Sequence, residues 1–447
     1  LLGALSILDE IPSVQHAFDV ALAGLRTGFA TYGADGDWPE GLVYTQYAAT
    51  VAQDVLGSLE LALGSSLGLA ATGADKVGNF ILHLIGPTGR FFDFADTDEP
   101  CWDYNAYGHG VLLHVANRTS TSAVARAYRF VGRQLATNYN ASIDPSWMRF
   151  ASELLWFSPE GGTSDLASLS PDAHFRTYSI AVFRSAWTMS AAYIAFKGGE
   201  NPDPASYKHA YGHSHLDQGS FVLEMNGTRW GWDLGSDSYE LPDYFGLHRF
   251  DYYRLNTHGH NCLLFDNQSQ VPGSKAPVTM FNTSCCAGTL PCKCAVLDMS
   301  ASYATAAAAV KRGIIMAGTT IFVVDEIAST NASRMRWQMH TYAQITLHGS
   351  GHATLHADGR SLGVVFSLMG QCNGELRTED INLTAPQKPS SGLRKLVLDT
   401  TAGNCSRIVA RFSLLDGPPF GAGIQPITAW PTMGAFIEHS EAGPMFV

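Results

Sequence analysis

The sequence predicts an α+β, multidomain protein. A helical region of toroid or solenoid type covers residues 1–165, and an antiparallel β-sandwich covers residues 166–447. Three observations predict this. At 447 residues the chain is too long for one ordinary core. Apolar residues recur at helical spacing up to about residue 165, then fall in short β-rich runs after about residue 170. Between them lies SPEGGTSDLASLSPDA (158–173), whose Gly, Ser and Pro content punctuates a boundary.

The helical elements come in order. From Val14, residues Phe18, Ala21, Leu22 and Leu25 share one face. A second helix is expected over Tyr44–Leu63, with Tyr47, Val51, Val55 and Leu59 on one face and Gly64 as its stop. Further helices are expected over Asp75–Leu84, Tyr104–Val115, Ser122–Thr137 and Ser146–Trp156. Amphipathic helices in succession suggest paired helices in a toroid or solenoid. No sequence repeat is legible.

The strand-like runs are SIAVFRSA, AAYIAFKGG, SFVLEM, TRWGWDL, NCLLFDN, GIIMAG, TIFVVDEIA and LGVVFSL, each bounded by turn residues. Asn226-Gly227 between two of them is a strong hairpin signal. A two-residue turn there pairs Phe221 with Trp232 and Ser220 with Asp233, returning Asp233 toward GHSHLDQGSF (212–221).

Composition narrows function. Hydrophobic content of 46% and charged content of 15% fit a soluble globular protein, and no apolar run is long enough to span a bilayer. A net charge of −12 argues against nucleic acid as a partner but leaves room for a basic cleft that binds a polyanion. Eight Asn-x-Ser/Thr sites stand at Asn117, Asn140, Asn226, Asn267, Asn282, Asn331, Asn382 and Asn404. With eight cysteines, clustered at Cys285, Cys286, Cys292 and Cys294, they predict an N-glycosylated protein, secreted or in the secretory lumen. The cysteine cluster reads as disulfides, with a zinc knuckle as the alternative. The opening LLGALSILDE has neither an initiator Met nor a basic n-region, which predicts an upstream segment.

Chemistry concentrates in a few places. His215, Asp233 and His260 (in LNTHGHN, 255–261) are expected on three neighbouring segments of one sheet. Two imidazoles and a carboxylate suit zinc or manganese, and the bland alternative is a set of satisfied polar strand ends. His213 is a candidate general base or a surface histidine. In DGDWPEGLVYTQYA (35–48), Glu40 and Tyr44 lie one helical turn apart and can face one cavity, although a tyrosine at such spacing is also a normal core residue. Trp38, Trp102, Tyr104 and Tyr107 could stack on sugar rings or pack in the core, and Trp102 follows the acidic FADTDEP.

Taken together, GHSHLDQGSF, the hairpin ending in Asp233, YYRLNTHGHN and DGDWPEGLVYTQY resemble the heparinase II/III-like superfamily of polysaccharide lyases, which includes the related dermatan sulfate epimerase. The order, toroid then sandwich, is similar as well. The resemblance implies that His213 and Tyr44 are catalytic and that His215, Asp233 and His260 hold a divalent metal, zinc or manganese. It implies that Arg254 meets an acidic polysaccharide; Glu40, by its spacing from Tyr44, and Trp102, by its ring, are the further candidates for binding it. The family's further Asn or His, upstream of the tyrosine, has no counterpart here. The implied function is β-elimination at a uronic-acid residue; the alternatives are uronyl C5-epimerisation and a non-catalytic carbohydrate-binding or matrix role.

Overall fold

The computed structural model describes residues 1–97, 105–118, 123–137, 162–203, 212–285, 292–329, 334–349, 351–403, 405–414, 422–433 and 436–438. The chain divides into two compact units. One comprises Leu1–Ile85, Thr97–Ser170 and Phe175–Tyr178; the other comprises Gly86–Asp96, Pro171–His174 and Ser179–Val447. The segment Gly86–Asp96 thus belongs with the strand-rich unit, although helical residues flank it in sequence.

The first unit is helical. Gln15–Phe29 turns Phe18 inward and half-buries Ala21, Leu22 and Leu25. Gly41–Leu63 ends on Gly64 at φ 68°, the left-handed stop predicted for it. Its buried face matches the predicted one at Val55 and Leu59 only. Tyr47 and Val51 are exposed, and the inward stripe runs through Leu42, Thr45, Gln46, Ala49, Ala52, Gln53, Leu56 and Leu59. Residues four apart advance about 40° each, so a run of fours rotates off any one face, whereas alternating threes and fours hold it. Val77–Leu84, Asn105–Arg118 and Ala123–Thr137 fall within a few residues of their expected places, and the last two pack together. The expected helix over 146–156 lies outside the described residues. Among those described, no helix is long and apolar enough to cross a membrane.

The second unit is built on antiparallel sheet, and its runs predicted as strands are strands. A five-stranded sheet is ordered Ala173–Phe175, Ile180–Arg184, Tyr193–Lys197, Phe221–Met225, Thr228–Gly231. An eight-stranded sheet has Arg360–Gly370, Cys405–Leu414, Thr320–Ala328 and Ala309–Ala317 at its middle. A four-stranded sheet runs Glu375–Asp380, Arg394–Thr401, Arg334–Thr341, Leu263–Phe265. All three feed one apolar core: Phe183 and Phe221 from the first, Ile314 and Phe412 from the second, Trp337 and Leu398 from the third. This sharing explains why most strands are buried on both faces and read as continuous apolar runs. Truncating a fully buried residue such as Trp337 or Trp230 to Ala would cost about 3–5 kcal/mol.

The Asn226-Gly227 turn forms, with both residues at positive φ (54° and 74°). Its register differs from the expected one. Met225 pairs with Thr228 and Glu224 with Arg229, but a bulge then sets Leu223 opposite Gly231. Trp232 leaves its hairpin partner and bridges His340, whose carbonyl accepts its N–H at 3.0 Å. The four-stranded sheet therefore captures the end of this strand. Disulfides join Cys285 to Cys294 and Cys372 to Cys405, in line with the disulfide reading of the cluster; Cys262 is free and buried.

Candidate functional site

Residues 212–220 enter the strand Phe221–Met225 without regular structure. Backbone bonds pin them: Leu216 N–H to Leu255 O at 3.1 Å, Gly219 N–H to Lys197 O at 2.7 Å, and Ser220 N–H to Asp217 O at 2.9 Å. Gly219 makes the turn at φ +90°, where a Cβ would stand 2.4 Å from Met299 Sδ. Freed from strand geometry, the two histidines diverge. His215 is fully buried, while His213 is half-buried, its ring 5.5 Å from Phe245 and 6.3 Å from Tyr239.

Behind His213 lies a buried group of three: His215, Asp217 and His260, whose ligand atoms all fall within 4.8 Å of one another. Each is held from its far side. His215 Nε2 is 2.7 Å from Asp96 Oδ1, His260 Nδ1 is 3.0 Å from both Asp233 oxygens, and Lys197 donates to Asp217 Oδ1. The near-side atoms, His215 Nδ1, His260 Nε2 and Asp217 Oδ2, are buried with no hydrogen-bond partner among the described residues. One buried unsatisfied polar atom costs about 1–3 kcal/mol, so three converging on one point call for a common partner. Two imidazoles and a carboxylate, all presenting lone pairs, fit a divalent ion such as zinc or manganese.

At His215 the surroundings suit that role. Burial pushes His215 down from its ordinary value, toward the neutral form a ligand needs. Burial alone would raise the Asp96 carboxyl, but Arg249, His215 and Tyr244 together hold it below the ordinary range. In the Asp233–His260 pair, burial opposes both charges. Their mutual attraction wins, depressing Asp233, helped by Ser220, and raising His260.

The structure brings two of the predicted residues, His215 and His260, into one group. Asp233 does not join the group of three: it receives Ser220 Oγ at 2.6 Å and Leu234 N–H at 2.8 Å, and it faces His260 from behind. Nor do the three expected segments share one sheet. His215 and Asp233 flank strands of the five-stranded sheet, whereas His260 precedes Leu263–Phe265 in the four-stranded one. Arg254 is buried, and its guanidinium donates to the carbonyls of Leu234, Lys388 and Pro389. Tyr44 is half-buried on Gly41–Leu63, and Glu40, just before that helix, accepts from Trp38 Nε1 at 3.1 Å. Trp102 and Tyr104, and the side chain of Tyr107, lie outside the described residues. Of the glycosylation sites, Asn267, Asn282 and Asn382 are exposed, and Asn117 and Asn226 half-buried. Asn140, Asn331 and Asn404 lie outside the described residues. Two residues of the site escaped the sequence reading. Asp217 stood inside the quoted segment, two residues past His215. Asp96 stood in the acidic run FADTDEP, where nothing marked it among its neighbours.

Residues 169–398 match the family described as heparinase II/III-like, C-terminal. Solved structures similar to the whole chain include a heparan sulfate lyase variant from Pedobacter heparinus, with TM-score 0.67 and 14% identity, covering 94% of this chain and 59% of that one. A heparinase III has TM-score 0.67 and 12% identity, covering 95% and 61%. A second heparinase III has TM-score 0.69 and 15% identity, covering 95% and 60%. The chain therefore spans about three-fifths of the length of these structures. No curated protein matches the sequence.

Proposed function

The chain belongs to the heparinase II/III-like family, and on that premise we propose that it is a polysaccharide lyase cleaving a uronic-acid-containing polysaccharide, with its helical unit forming part of an (α/α) toroid. The observation that carries this reading is the juxtaposition at residues 212–217: a half-buried His213 directly before a buried group of unpartnered ligand atoms.

The chemistry is β-elimination. The C5 hydrogen of a uronate lies α to a carboxylate and leaves only to a well-placed base. His213 and Tyr44 are the two candidates, and which one acts depends on the face that carries the proton. The base takes the C5 proton, the electron pair forms the C4=C5 double bond, and the C4–O4 bond breaks. O4 leaves with a proton donated by Tyr44. His213 is oriented from both sides: its carbonyl accepts Asp96 N–H at 3.0 Å, and its ring lies against Phe245 and Tyr239. A metal held by His215, His260 and Asp217, zinc or manganese, would supply fixed positive charge that braces the turn carrying His213. Arg254, bound to backbone carbonyls, is assigned no charge-neutralising role.

The test incubates the metal-replete protein in heavy water with a panel of uronic-acid polymers, and reads ultraviolet absorbance and C5 deuterium on the same samples. An unsaturated uronate chromophore on any polymer supports the lyase and names its substrate class. Deuterium at C5 without chromophore replaces it with an epimerase. Binding with neither signal replaces it with a carbohydrate-binding protein.

A further inference from the structure

The carboxylate of Asp96 is fully buried at the end of the Gly86–Asp96 segment and collects donors from distant parts of the second unit. Its Oδ1 receives Tyr244 OH at 2.8 Å and Arg249 Nη2 at 3.0 Å, and lies 2.7 Å from His215 Nε2. Its Oδ2 receives Tyr239 OH at 3.3 Å. Its own N–H binds the carbonyl of His213. The residue before it, Ala95, is buried in the left-handed region at φ 57°, a conformation that costs a non-glycine residue energy and persists only where the surroundings enforce it. The backbone is bent to aim this one carboxylate inward.

An ionised carboxylate only accepts, so the hydrogen between it and His215 sits on Nε2. That choice leaves Nδ1 with a lone pair, and Nδ1 is the atom facing Asp217 and His260 without a partner. Tyr239 and Tyr244 carry the same carboxylate's influence to the aromatic side of His213, through the 4.8 Å contact of their rings and the Tyr239–His213 stack. Arg249 closes the arrangement, its guanidinium 4.7 Å above the Tyr244 ring and 3.3 Å from the Ser214 carbonyl between the two histidines.

We propose that Asp96 is the positioning residue of this site: it holds His215 in the Nε2–H tautomer with Nδ1 presented for metal, and it ties the His213 turn and the 239–249 loop to that same histidine. The inference rests on the metal-bearing reading of His215, Asp217 and His260. Asp96 acts through its bonds to His215 Nε2 and to the His213 carbonyl.

The experiment measures zinc affinity of the full chain by competition with a chromogenic chelator, for the wild type, Asp96→Asn and Tyr244→Phe. Loss of a carboxylate behind a metal-binding histidine weakens binding about 10–100-fold. That loss is expected for Asp96→Asn, while Tyr244→Phe, which removes one donor and keeps the carboxylate, stays close to wild type. The cobalt-substituted absorption bands should shift in Asp96→Asn, a change that a purely structural role would not produce. Equal zinc affinity in wild type and Asp96→Asn overturns the role of Asp96 and leaves the metal reading standing. A wild type that binds no zinc overturns the metal reading and this inference with it. Should Asp96→Asn fail to fold, the wild type alone decides. Long-range proton–nitrogen correlation on ring-labelled histidine, assigned against His215→Gln, is expected to show Nε2 protonated at His215. A proton on Nδ1 overturns the proposal.

Discussion

Replacing Arg312 with methionine removes the brace that joins the two loops of the site. Arg312 is fully buried, and its Nε and Nη2 hold Asp325 at 2.7 and 2.9 Å. Its Nη1 reaches the carbonyl of Gly219 at 2.6 Å, at the end of the 212–220 segment, and that of Asn261 at 2.7 Å, the neighbour of His260. Methionine follows a similar path through the core but leaves Asp325 charged and alone. Removing one partner of a buried ion pair costs roughly 3–5 kcal/mol. Each abandoned carbonyl adds about 1–3 kcal/mol. The single variant should therefore lose about 5–11 kcal/mol, a large part of a typical total of about 5–15 kcal/mol. The double variant Arg312→Met/Asp325→Leu removes the stranded charge and should recover about half, because an apolar pair often replaces a buried ion pair at little cost. The assay is urea unfolding of the full chain followed by tryptophan fluorescence, since Trp230 and Trp337 report on the shared core. A single-variant loss below about 1 kcal/mol, or a double variant no more stable than the single, would refute this account of the brace.

Other outcomes follow from the same geometry. His213→Ala and Tyr44→Phe should each abolish most turnover while leaving the unfolding midpoint near wild type; near-normal activity in either removes that residue from the mechanism. Asp217→Asn should lower bound metal, measured by elemental analysis after dialysis against buffered zinc. If Asp233→Asn empties the site and Asp217→Asn does not, the ion is held by the carboxylate the resemblance implied, and the His260 ring presents its other nitrogen. In the helical unit, burial and then Arg118 push His114 down to about 4. A histidine depressed on folding contributes stability that is complete above its unfolded value of about 6.5 and is lost as pH falls from there toward 4. The loss should approach about 3 kcal/mol, and His114→Gln should flatten the profile over that interval, read by denaturant unfolding at stepped pH.

Local chemistry made much of this protein legible in one dimension. The left-handed stop at Gly64, the Asn226-Gly227 turn and the strand runs depend on neighbours close in sequence, so spacing reveals them. The helix over Gly41–Leu63 was legible as a helix but only in part by its inward face: Val55 and Leu59 are buried, whereas Tyr47 and Val51, as apolar as many core residues, are exposed, and only the packing chooses among them. The hairpin was legible up to Glu224, and the capture of Trp232 by His340 lay beyond it, because that bond joins strands of different sheets.

The sequence by itself determined which residue types could do chemistry here and that two histidines would stand one residue apart at a strand entrance. Tertiary structure alone decided what each of them became. His215 meets Asp96 across 119 positions of chain, and Arg312 meets Gly219 across 93. A ring nitrogen's role is set by the hydrogen bond its opposite nitrogen makes, and that partner is brought in by the fold. Between Asp217 and Asp233, composition offers no distinction; the fold sets Asp233 against His260 Nδ1 and groups Asp217 with His215 and His260.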